Sequence, residues 1–92
     1  MSKEKIQEYL KELIGIAEKE ITTAERELVN WTIQEWIYQQ EFAKPVHTTK
    51  LKAQEGLSTS QRNIKEMEKR MKYLEENIAV YKLYAKEHGF NI

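Results

Sequence analysis

Leu10, Ile14, Ala17, Ile21, Ala24, Leu28 and Trp31 follow one another at alternating steps of four and three residues. After Glu35 the same phase resumes at Tyr38 and Phe42. A second run, Leu57, Ser60, Ile64, Met67, Met71, Leu74, Ile78, Tyr81 and Ala85, alternates steps of three and four in the same way. Spacing of 3.5 residues, sustained over three or more heptads, keeps one stripe of a helix turned towards a partner helix. A strand cannot use it, because strand side chains alternate with period two. Two such stripes in one chain predict an all-α fold: a long antiparallel helical hairpin of coiled-coil type.

The boundaries follow from local chemistry. Ser2 is a good N-cap, with Glu4 in the first turn near the positive end of the helix. Pro45 disfavours helical geometry at Lys44, which ends helix 1 near residue 43. Helix 1 is thus expected over about 3–43, roughly 60 Å long. A turn over about 44–48 leads into helix 2, expected over about 49–88 within a single domain, 1–92. Gly89 suits the left-handed residue after a helix, and Phe90 can then fold back on Tyr84 or Ala85. Two capping-box patterns interrupt this picture: Thr22-Thr-Ala-Glu25 and, after Gly56, Ser58-Thr-Ser-Gln61. The unbroken heptad phase favours one continuous first helix. Helix 2 is expected to be continuous with a weak point at 56–59, the alternative being a loop over 44–58.

Composition agrees with long helices. All fifteen acidic residues are glutamate, and there is one proline. Aspartate favours caps and turns, whereas glutamate loses little rotamer freedom in a helix. The chain has no cysteine, so neither disulfides nor thiolate chemistry is available. Met1–Leu13 is charged and has no apolar core of the kind a secretory signal carries. No apolar run has the length of a membrane span. These features point to a cytoplasmic protein. Charge is zero overall but uneven, with residues 1–43 at −4 and residues 47–72 at +4. Such an arrangement favours pairing of the two segments, within a hairpin or between chains.

A lone hairpin has one seam and nothing over it, and stable domains need two packed layers. The sequence supplies apolar side chains beyond the seam. Val29, Ile33, Trp36 and Ile37, with Trp31, Tyr38 and Phe42, make helix 1 apolar around most of its circumference near the turn. Tyr73, Val80, Leu83 and Tyr84 form a smaller counterpart on helix 2. If the turn lies near Pro45, residues whose numbers add to about 90 face each other. A two-fold antiparallel homodimer would then lay each patch on the other and make a four-helix bundle. The competing reading gives the Val29–Phe42 patch to a different protein, since exposed Trp and Tyr concentrate binding energy.

Catalytic and metal chemistry find little to build on. His47 and His88 stand alone at opposite ends, with no Glu-x-x-His or His-x-x-x-His pair. Serine and threonine cluster where capping accounts for them. The length and helical class are similar to those of the chorismate mutase family. Those enzymes hold a dicarboxylate with several arginines, and this chain has only Arg26, Arg62 and Arg70. The stretch Tyr73-Leu-Glu-Glu-Asn-Ile-Ala-Val-Tyr-Lys82 resembles the dimerisation helix of small bacterial transcription regulators, but no winged-helix head precedes it. The size and hairpin form are also similar to those of small secreted virulence factors with a Trp-x-Gly turn. Here Trp31 and Trp36 lie inside helix 1 and the turn is Ala43-Lys-Pro-Val46.

Arg62, Lys65, Lys69 and Lys72 fall on the outer face of helix 2, with Arg70 beside them. Phosphate contacts from such a stripe would give sequence-blind, salt-dependent nucleic-acid binding. Glu66, Glu68, Glu75 and Glu76 interleave with or flank it. The function expected is therefore that of a small protein–protein interaction module: an adaptor, regulator or inhibitor, for instance of the phage or mobile-element type that blocks a host factor. It is expected to be no enzyme, to need no cofactor and to act as a homodimer. A nucleic-acid accessory role is the alternative.

Overall fold

The computed structural model describes all 92 residues. Two helices, α1 (Lys3–Ala43) and α2 (Lys50–Glu87), pack antiparallel along their whole length. The hairpin measures 62 × 16 × 16 Å. No strand is present, and no helix is long and apolar enough to cross a membrane.

Each helix end has an identifiable stop. Ser2 accepts a hydrogen bond from the Lys5 N–H and Thr49 accepts one from the Lys52 N–H, both at 3.2 Å, as N-caps do. Gly89 adopts φ +72°. The Phe90 N–H then reaches the Ala85 carbonyl at 2.8 Å and the Gly89 N–H the Lys86 carbonyl at 3.3 Å. These two bonds make a Schellman ending. Phe90 continues a stack with His88 and Tyr84, the Tyr84 and His88 rings lying 4.0 Å apart.

Neither internal capping box starts a helix. Thr22 and Thr23 donate their hydroxyls to the carbonyls of Glu18 and Lys19 one turn back, and Ser60 donates to Gly56 at 2.8 Å. α2 runs through Gly56 without a break.

The heptad stripes are the seam. Every stripe residue is buried or half-buried, Glu35 included. Cross-helix contacts set the register: Arg70 with Glu20, Lys50 over Phe42, Lys3 over Phe90 and Tyr38 against Gly56. The numbers in these pairs add to between 90 and 94. The fully buried positions are mostly small, Ala17, Ala24, Ala53, Ser60 and Ala85 joining Leu10, Ile14 and Leu74. Only these eight of 92 residues lose essentially all contact with solvent, so the hairpin alone encloses a thin core.

Candidate interaction surfaces

The apolar residues near the turn divide into two groups. Trp31, Tyr38 and Phe42 lie in the seam and are half-buried between the helices. Val29, Ile33, Trp36 and Ile37 stay exposed, Trp36 at 61% and Val29 at 60%. Their spacing of i, i+4, i+7 and i+8 gathers them into one stripe about 100° wide, directly opposite the seam. α1 is thus amphipathic twice: one face is used by α2 and the other has no partner in the hairpin.

The second surface lies at the open end. Tyr73, Val80 and Tyr84 flank the seam on one broad face of the hairpin, while Leu83 points away from it on the outer side of α2. Across from them the same face carries Ile6, Tyr9, Leu13 and Ile16 of α1. Together they line an apolar trough. Its outer part, about 450 Å³, is bounded entirely by hydrophobic side chains from Met1 and Ile6 to Val80 and Tyr84. Its inner part, about 180 Å³, continues past Leu13 and Tyr81 to Tyr73 and Asn77. Glu20 and Arg70 close the inner end with an ion pair at 3.3 Å. From Ile6 to Glu20 the trough spans roughly 21 Å, four helical turns. Sequence reasoning missed its α1 wall. The signal was there, since Ile6, Tyr9, Leu13 and Ile16 step by three, four and three beside the first stripe.

The basic stripe is partly dismantled by this geometry. Arg62, Lys65, Lys69 and Lys72 are exposed on the outer face of α2, and Arg62, Lys65 and Lys69 share a shallow polar depression with Ser58 and Glu66. Arg70 turns to the flank of the hairpin and binds Glu20 instead. With both partners about half exposed, that pair contributes about 0–1 kcal/mol.

At the turn Glu41 acts on the backbone. Its Oε2 accepts the N–H groups of Val46 and His47 at 3.0 and 3.1 Å. These two bonds, the Val46 one foremost, hold its carboxyl below the usual value of 4.5, and the nearby His47 adds a smaller effect in the same direction. His88, at the other end, sits on Tyr84 with its Nδ1 2.9 Å from the Tyr84 carbonyl oxygen.

No protein-family model matches the chain, and neither a curated protein nor a solved structure is significantly similar to it.

Proposed function

We infer that this protein is a protein–protein interaction module, acting as an adaptor, regulator or inhibitor through helix-surface contacts, and that it self-associates. The observation that carries this reading is the stripe of Val29, Ile33, Trp36 and Ile37, exposed on the side of α1 facing away from α2. Exposed apolar patches with aromatic anchors mark interaction sites, and i, i+4, i+7 spacing is how one helix presents itself to a groove or to another helix. The thin core adds a reason for association, because a partner supplies the second layer that a lone hairpin lacks.

A second reading rests on the exposed Arg62, Lys65, Lys69 and Lys72, which could follow a phosphate backbone. One experiment separates the two. Co-purification from the native cell is compared for the wild type, for Ile33→Glu with Trp36→Glu, and for Lys65→Glu with Lys69→Glu. The interaction reading expects the first pair to lose the captured protein and the second to keep it. Loss confined to the lysine pair, with salt-sensitive nucleic-acid binding, would replace that reading by the second.

A further inference from the structure

We propose that the open-end trough is closed by the same trough of a second copy, the two hairpins lying face to face with their turns at the same end. This rests on the self-association in the proposed function and specifies its surface and geometry. It departs from the head-to-tail pairing of unlike patches, because the outer stripe and the trough face different directions.

The occupant is argued from charge. Rotating one hairpin by a half-turn about its long axis sets α1 against α2 of the copy at equal height, so the register within the hairpin also governs the contact between copies. Ile6 then meets Tyr84 of the copy, Tyr9 meets Val80 and Ile16 meets Tyr73. Further along, Glu20 meets Arg70, Glu27 meets Asn63 and Asn30 meets Thr59. Along the trough apolar side chains meet apolar side chains and no like charges face each other. Beyond it the register also brings Glu66 level with Glu27, so the charge match is that of the trough and its Glu20–Arg70 cap. The two Glu20–Arg70 pairs join into a ring of alternating charge that caps the merged apolar core. Turning the copy end over end instead sets Glu20 against Glu27, Leu13 against Gln34 and Ile6 against Glu41. Like-charge contacts and buried unpaired carboxylates disfavour that arrangement.

The area is sufficient. The whole face, 62 by 16 Å, offers roughly 1,000 Å² per copy, the apolar trough being about a third of it, against about 800 Å² per partner in a stable interface. The product is a four-helix bundle in which each helix runs antiparallel to its neighbours. Both outer stripes stay free on its surface.

The test uses the full chain, whose lack of cysteine makes single labels clean. Sedimentation should give a dimer of twice 11.0 kDa at micromolar concentration. Val80→Glu should weaken it by about 100-fold or more, as expected for charge placed in an interface core, while Trp36→Glu leaves the mass unchanged. Spin labels at Val46→Cys should lie within about 30 Å of each other, since both turns share one end, three helix diameters at most. Glu20→Arg and Arg70→Glu should each weaken the homodimer, and mixing the two variants should form a heterodimer, because opposite charges then face across the copies. A stable monomer, turn labels about one hairpin length apart, or no heterodimer on mixing would each overturn the proposal. Loss of partner capture in Trp36→Glu with the dimer intact bears on the proposed function alone.

Discussion

The ring of Tyr38 occupies the space where a side chain on Gly56 would begin. A Cβ on Gly56 would stand 2.5 Å from Cζ and 2.6 Å from Cδ1 of that ring, too close for either to remain in place. The glycine costs helix propensity in the second turn of α2 and in return lets an aromatic ring sit against the backbone.

Gly56→Ala should therefore lower stability. The gain in propensity is about 0.5–1 kcal/mol, and displacing the ring costs about 1–3 kcal/mol. In a Tyr38→Ala background the sign should reverse, with Gly56→Ala raising stability by about 0.5–1 kcal/mol. Denaturant unfolding of the four combinations measures the coupling.

Gly15 has the opposite surroundings, with nothing within 4 Å of an added Cβ. Gly15→Ala should stabilise the hairpin by about 0.5–1 kcal/mol, seen as a higher Tm with unchanged helical content.

The outer stripe predicts a variant that keeps its fold. Ile33→Glu with Trp36→Glu removes exposed apolar groups only, so circular dichroism should retain the helical signal and the midpoint of unfolding should move by less than about 1 kcal/mol. Trp31→Glu, one helical turn away but in the seam, should cost about 3 kcal/mol or more.

Acid should loosen the turn first. The Glu41 carboxyl titrates below its value in the unfolded chain, so the stability it contributes is present above about pH 4.5 and is lost as pH falls through the lowered folded value. The protection of the Val46 and His47 amides, taken relative to intrinsic exchange at each pH, should fall across that interval. Glu41→Gln should show low protection at all pH values and no step.

Much of the hairpin was readable before the structure, because a seam repeats. The phase through Leu10–Phe42 and Leu57–Ala85 needs only spacing, and every residue on it lies in the seam; Ala53, fully buried one step before Leu57, falls outside it. By propensity, a local property, Gly56 reads as a weak point. Its contact with Tyr38, eighteen residues away, follows only once the pairing of helices is known. Likewise Ile6, Tyr9, Leu13 and Ile16 become a wall only because α2 brings Tyr73, Val80 and Tyr84 beside them. The Glu41 hydrogen bonds depend on how the backbone turns after Pro45, which no periodicity encodes. Arg70 looked like one more cation in a row, and a rotation of one position took it to Glu20.

The position of the trough also has a kinetic side. Near the turn, pairing closes loops of a dozen or so residues, whereas Lys3 and Phe90 meet only after nearly the whole chain has been brought round. Longer loops cost more entropy to close, so a hairpin of this kind zips from Pro45 outward and its last turns are the least secured. The apolar trough is built from those last turns. Whatever covers it binds the zipped ends and not the splayed ones, and so acts as a clasp: occupancy at one end of the rod is read as slower opening along all of it.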